Sequence, residues 1–557
     1  KQKTAYEISL GLVGSEMCIR DSIYTVQTAK DHKELKIAEF SSAGGLFMDV
    51  WNPVGGLSDI YGHMVWLATV YPGTITHYET GDYAPFAFNY TVTRGEEELL
   101  SVPTDALLYN SSTDTWEHVK SGTKALVKVV YTFPNGTYYW HTGKEVNVTD
   151  IVYNIAFLTE WAHDDSTETT TDKYYDPRIE GGVGPILDTV AGFQFFLDNN
   201  TVVVYGNYTF TSDNVIANWF DFWSTVPWEL LYVMSELVAN NAKYGWYNEE
   251  NVFGLDLLNA THVSDLKSIA EDSKNDKVVP KPLEYFGVTQ DEAVDRFTGL
   301  LDFINDKEHA SVGNGPYVVE EYSFQPGAEY MKLKRYEKYP VETSDEGASP
   351  ETVTITVYTD ETLGIQAVSK GDVDVFWWAV SADKLEGYGN IEKVKTTSTF
   401  YSLFINPAYD TALADEWNEP YVPIVKNRTG GLLFNPFAIR EIRFALNYLI
   451  SRDHIVSTIL GGNGEAMYSP VWLSHYSGTQ FLDVYSELGL SKTGDKAKAL
   501  KMIYDAMQEW ADKLAEHGHK LELRPPVPVS TIVISITIAV IVAVVGFVVY
   551  SKYLKKE

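Results

Sequence analysis

Cysteine is almost missing from this chain: among 557 residues a single thiol occurs, at Cys18. No intrachain disulfide and no thiolate metal site can be built from one cysteine, so packing has to hold the fold. Basic residues are scarce as well, with 43 Lys and Arg against 76 Asp and Glu and a net charge of −33. That balance repels nucleic acid and anionic lipid, which excludes nucleic-acid partners and suits a soluble, monomeric ectodomain. Catalytic signatures are also lacking: no G-x-S-x-G, H-E-x-x-H, P-loop or G-x-G-x-x-G occurs in its proper context. The 12 histidines show no ligand spacing beyond His517 and His519 near a helix end. No enzyme activity, cofactor or metal is therefore expected. Paired carboxylates of the glycosidase kind arise everywhere in so acidic a chain and carry little weight.

What is present is apolar and aromatic: 45% hydrophobic residues and 14% aromatics supply ample area for a packed interior. The length exceeds what one core supports and predicts several lobes. From Ile23 to about Thr343, short aromatic and β-branched runs alternate with turn residues, as in ALVKVVYTFPNGTYYW and NNTVVVYGNYTF. Those are strands and hairpins. Among them IVYNIAFLTEW reads as a helix, with Asn147 as N-cap and Asp150 three residues inside. From Glu351 a second cluster follows: a strand VTITVYT, a helix around Leu363–Ser369, a strand DVDVFWW, and then a helix pair. In that pair Ile439, Ile442, Ala445, Leu446 and Leu449 keep helical spacing. Ser451 or Asp453 opens the second helix, and Gly461 and Gly462 close it. The class is α/β, without short-period repeats.

The two ends set the expected topology. Val529–Tyr550 is uncharged and reaches the roughly 20 residues needed to cross a hydrocarbon core. Lys552, Lys555 and Lys556 in the tail 551–557 place the C-terminus in the cytoplasm by the positive-inside rule, with the bulk of the chain outside. The proline-rich 524–528 reads as a stalk. Sequons at Asn89, Asn110, Asn135, Asn147, Asn199, Asn207, Asn259 and Asn427 suit an external glycoprotein, although a chain rich in Thr and Asn also generates sequons by chance. Residues 1–22 make a poor signal peptide and resemble a translated sequencing adapter, so they are set aside as non-native.

Four segments, taken in order, carry a resemblance. They are WHTGKEVNVTDIVYNI with Gly143, Thr149 and Asp150; Gly313-Asn314-Gly315-Pro316-Tyr317-Val318 leading through Gly327 to LKRYEKY; IQAVSKGDVDVFW with Ala367, Gly371 and Asp374; and Asn435-Pro436-Phe437 with REIRFALNYLISRDHIV. Together they resemble the family-5 extracellular solute-binding proteins, the peptide, nickel and oligosaccharide binders of ABC importers, here in a membrane-anchored, archaeal-type form. The residues themselves read as structural: Gly315 and Pro316 set a turn, Gly371 ends a helix, and Arg440 or Arg443 is a solvated or salt-bridged helix charge.

The resemblance implies a two-lobed, periplasmic-binding-protein-like α/β fold of type II with an extra subdomain. Lobe I with its inserted subdomain is expected at 23–343 and lobe II at 344–523. The family continues beyond the point where Leu523-Arg524 enters the stalk, so lobe II is expected to be incomplete.

The expected function is capture of oligopeptides outside the cell for delivery to ABC permease subunits. An oligosaccharide is the alternative ligand, and a membrane-tethered secreted hydrolase is the rival of another class. Ligand candidates are Trp51 and Asn52 beside a glycine-rich loop, Trp377 and Trp378 at a strand end, and Tyr401 and Asn406 in FYSLFINP. Core packing is the competing role for Trp51 and for Tyr401 and Asn406. Adjacent strand residues point to opposite faces, so at most one of the two tryptophans faces a cleft.

Overall fold

The computed structural model describes residues 22–25, 33–41, 49–76, 83–95, 98–167, 169–325, 327–339, 350–378, 380, 382–395, 402–426, 431–462, 464–468, 481–521 and 523. Of the adapter-like residues 1–22 only Ser22 is described, as the first residue of a strand; residues 1–21, the stalk 524–528, the apolar span 529–550, the tail 551–557, Tyr401 and Asn427 lie outside the described residues. Among the described residues no helix is long and apolar enough to cross a membrane.

A seven-stranded mixed sheet organises the first unit, in the order Tyr317–Ser323, Tyr330–Arg335, Thr352–Tyr358, Glu34–Phe40, Val375–Trp377, Ser22–Thr25, Glu392–Lys395. Its central three strands, Thr352–Tyr358, Glu34–Phe40 and Val375–Trp377, run parallel, and the outer pairings are antiparallel. Period-two alternation sorts the side chains. Leu35, Ile37, Val353, Ile355 and Val375 face the main core, whereas Ala38 and Phe376 face the helix Glu361–Lys370 through Ile365 and Val368. That helix ends at Gly371 with φ of 78°, the left-handed cap its sequence position predicts.

A second, antiparallel sheet of six strands orders Asn89–Arg94, Val127–Thr132, Thr201–Gly206, Val190–Phe196, Leu107–Asn110 and Thr115–His118. The runs form strands as predicted, but only Leu107–Asn110 with Thr115–His118 and Val190–Phe196 with Thr201–Gly206 are hairpins; Val127–Thr132 pairs instead with Asn89–Arg94 and Thr201–Gly206. Around both sheets the core is unusually rich in large rings, with Trp51, Trp140, Trp228, Trp246, Phe220, Phe297 and Tyr317 all fully buried. Each such side chain removes some 150–250 Å² from water, which is how a chain without disulfides holds together.

The helix Val148–Ala162 opens with a capping box formed by Asn147 and Asp150. Asp150 does more than cap: it also accepts from Trp140 Nε1 at 3.2 Å and from the Trp228 backbone N–H at 3.2 Å. Its carboxylate pairs with Arg296, whose Nε donates to Glu229 at 2.8 Å. All three charged side chains are buried. Burial works against the Arg296 charge, but the Asp150 and Glu229 carboxylates outweigh it and hold its pKa above the ordinary value. Burial raises Glu229, against the pull of Arg296.

The hairpin motif around Gly315 does not work as a φ-permissive turn. Gly313 and Gly315 are absent from the left-handed region. What they allow is contact: Gly315 N–H donates to Thr69 O at 2.9 Å, Tyr317 N–H to Ala68 O at 3.1 Å, and Asn314 Oδ1 accepts from Tyr71 N–H at 2.8 Å. Two buried histidines brace the same region. His141 Nδ1 accepts from Gly313 N–H at 3.1 Å while its Nε2 meets Gly315 O at 3.1 Å; His309 accepts from Ser311 N–H and faces Val319 O in the same manner. An Nδ1 that accepts and an Nε2–H that donates define one neutral tautomer. Burial lowers both pKa values to about 4. The stability each neutral ring contributes is fully present above pH 6.5 and is lost as pH falls from there towards 4. Imidazole NMR titration is expected to give midpoints near 4 for both; a midpoint near 6.5 for either would contradict the buried arrangement.

The chain divides into two compact units at Thr399/Phe400, with Gly461–Gly464 returning to the first. The lobe boundary expected at 343/344 thus falls inside the first unit, because the strand Thr352–Tyr358 pairs in register with Glu34–Phe40. In the second unit the helices Arg440–Leu449 and Lys496–Glu516 enclose Ile442, Ala506 and Trp510 together with Ala414 and Val422. Ser451 caps the following helix, as one of its two sequence options predicts, and Gly461 and Gly462 follow with φ of 57° and 84°. Of the two arginines, Arg440 is exposed as a solvated helix charge should be, while half-buried Arg443 turns its Nη1 to the backbone and donates to Phe437 O at 2.6 Å and Ala438 O at 2.8 Å. His517 stacks on Trp417 at 4.0 Å, a packing role.

Candidate functional site

The parallel trio ends, at its carboxyl edge, in Phe40, Tyr358 and Trp377. Ligands of open α/β sheets gather at such edges. Alternation continues there: Trp377 is opposite Glu39 in the parallel register and shares its face, while Trp378 turns to the other face, 4.6 Å from the Phe40 ring. Both tryptophans are half-buried. Tyr61 lies against both, edge-on to Trp377 at 5.5 Å and stacked on Trp378 at 6.3 Å. It is set there by the helix Ile60–Leu67, whose N-cap Asp59 accepts from Gly62 N–H at 2.7 Å.

Glu39 is the unexpected member. It ends the apolar row Leu35, Ile37, Glu39 and is 2% exposed. Among the described residues its Oε2 has no hydrogen-bond partner, and neither has Oδ2 of Asp59. Burial, and after it the Asp59 carboxylate, pushes the Glu39 pKa well above its usual value. A buried acid without a partner is costly to maintain, and perturbed acids of this kind concentrate at working sites. The sequence held a signal for it, an acid in the inward register of an apolar strand, although the segment read only as one strand among many.

The other candidates fall elsewhere. Trp51 and Asn52 are interior: Trp51 Nε1 donates to Ser311 Oγ at 2.7 Å, and Asn52 Oδ1 accepts from Val54 N–H at 2.9 Å. Of the two roles open to Trp51, the geometry supports packing. Asn406 belongs to the second unit, is exposed, and accepts from Ala408 N–H at 3.0 Å. Among the sequons, Asn89, Asn135, Asn199, Asn207 and Asn259 are exposed, Asn110 and Asn147 half-buried, and Asn147 and Asn259 serve as helix N-caps. Among the described residues no group of three or more His, Cys, Asp or Glu could hold a metal ion.

A mixed sheet with a parallel centre, flanked by helices, defines the class of α/β proteins. The chain belongs to the bacterial extracellular solute-binding proteins, family 5, whose model matches residues 137–531. It is therefore a solute-binding protein of ABC importers. No curated protein matches the chain.

Several solved structures are similar. A nickel ABC transporter protein from Bacillus halodurans shares 14% identity, with 89% of this chain and 75% of that one covered, at a TM-score of 0.33. A periplasmic oligopeptide-binding protein from Thermotoga maritima, solved with mannohexaose, shares 14% identity over 90% and 73% at 0.34. A Borrelia burgdorferi oligopeptide-binding protein shares 10% over 86% and 74% at 0.35. At such scores the likeness carries no argument about the ligand, and the assignment rests on the family match.

Proposed function

We propose that this chain captures oligopeptides outside the cell and passes them to the permease of an ABC importer. It works as a monomer that closes two lobes on its solute. The span 529–550 holds it to the membrane with the tail 551–557 in the cytoplasm, and the exposed sequon asparagines face the outside. The observation that carries the reading is the constellation of Tyr61, Trp377 and Trp378 around the carboxyl ends of the parallel strands. Aromatic faces accept varied side chains by contact area, which suits a binder of many related peptides. The same rings also suit sugar faces, which keeps an oligosaccharide as the second reading.

Calorimetry on the full-length chain in detergent separates the two. Heat with a pool of tri- to pentapeptides is expected. Heat with manno-oligosaccharides alone would replace the first reading by the second, and heat with neither would overturn both.

A further inference from the structure

We infer that Asn135 is a site of self-modification, where the amide nitrogen of Gly136 closes on the asparagine side chain and, with water, turns it into aspartate and isoaspartate. The inference stands apart from the solute and from the reading above.

The chain holds three Asn-Gly pairs, 135–136, 314–315 and 463–464. A glycine in second place leaves the attacking nitrogen without the Cβ that would screen it, so all three share the reactive sequence. Asn463 lies outside the described residues. The other two pairs are set apart by the fold.

Asn135 and Gly136 are exposed, in the turn that follows the strand Val127–Thr132. Gly136 has φ of 64°, and among the described residues only Tyr139 Oη, at 3.9 Å, comes near the place of its missing Cβ. The Asn135 carboxamide is loosely held: Nδ2 reaches Asp198 O at 3.3 Å, beyond the usual hydrogen-bond range. Gly136 N–H donates to Glu145 Oε1 at 2.5 Å, but Glu145 is exposed too, so water competes for that proton. Asn314 is the opposite case, only 1% exposed. Its Oδ1 accepts from Tyr71 N–H at 2.8 Å, and Gly315 N–H is committed to Thr69 O at 2.9 Å. A carboxamide that cannot turn and a nitrogen sealed behind another segment have no path to a ring.

The chemistry needs nothing but water. Gly136 N gives its proton to solvent and bonds to Asn135 Cγ; the Cγ–Nδ2 bond breaks, and Nδ2 leaves as ammonia with a proton from solvent. Water then opens the five-membered imide. Attack at Cγ restores the backbone and leaves aspartate, whereas attack at the main-chain carbonyl routes the backbone through Cγ and leaves isoaspartate. Either product loses the Nδ2 donor and gains a carboxylate, and the second also lengthens the turn by one carbon. Asn135-Gly136-Thr137 is at the same time a sequon. A glycan on Nδ2 and the loss of Nδ2 are exclusive fates of one atom.

The test holds the full-length chain, made without glycosylation, in mildly alkaline heavy-oxygen water in detergent, folded or unfolded in urea, followed by digestion in ordinary water and peptide mass spectrometry. Each imide opening installs one heavy oxygen. In the folded chain the Asn135 peptide is expected to take up label at least tenfold faster than the Asn314 peptide, and in urea the two rates should come within threefold. Folded rates within twofold of each other, no label at Asn135, or a gap as wide in urea as in the folded chain would each overturn the site. Asn135→Gln, whose side chain would have to close a larger ring, should empty that peptide of label; label that persists there would equally overturn it.

Discussion

Replacing Arg296 by Met is expected to cost the first unit about 3–5 kcal/mol, the usual penalty for stranding a buried charge. The guanidinium lies between Asp150 and Glu229, and both acids are fully inaccessible. Its removal leaves two carboxylates, both bonded to the same Arg296 Nη2, in the interior without the cation that pairs them. Asp150 is tied further to Trp140, to the Trp228 backbone and to the cap of Val148–Ala162, so the damage spreads into three elements. Urea denaturation followed by circular dichroism measures it. If the loss is below about 1 kcal/mol, the triad contributes no more than a surface pair would. A triple change of Asp150, Glu229 and Arg296 to apolar residues of similar size is expected to recover part of the loss, since unpaired charge rather than missing attraction is the main cost.

Gly315→Ala is expected to destabilise by about 3 kcal/mol, at the upper end for overpacking. A Cβ at this position would stand 2.3 Å from the Val70 nitrogen and 2.4 Å from the Thr69 carbonyl carbon. Backbone cannot rotate away as a flexible side chain can, so the two segments must separate and lose the hydrogen bonds that join them. Gly371→Ala is the internal comparison: nothing lies within 4 Å of its Cβ, and its penalty comes from φ of 78° alone. That left-handed geometry costs an alanine about 1–2 kcal/mol. Thermal unfolding of both variants gives the order; Gly371→Ala proving the worse would mean that close approach is not what fixes Gly315.

Local signals in this chain were legible because local physics decides them. The capping box at Asn147 and Asp150, the helix end at Gly371 and the cap at Ser451 each follow from a few adjacent residues, and the structure shows them where the sequence places them. Long-range placement was not legible. Nothing in Thr352–Tyr358 announces that it pairs with Glu34–Phe40, so the boundary expected at 343/344 split a sheet. For the same reason Trp51 looked like a ligand contact: its partner, Ser311, is 260 positions away. Glu39 and Asp59 escaped notice because an unmet hydrogen bond is a property of surroundings, and composition in so acidic a chain hides two acids among 76.

The central strand Glu34–Phe40 finds its two neighbours in Thr352–Tyr358 and Val375–Trp377, and Asp374 bonds back to Lys36 across 338 positions. An emerging chain therefore carries this apolar ribbon with both edges open until more than 300 further residues have followed it. Contacts of such separation close slowly, and an uncovered ribbon invites pairing with other chains meanwhile. The burden of keeping the newborn molecule from clumping thus falls on whatever escorts it until its last third has arrived.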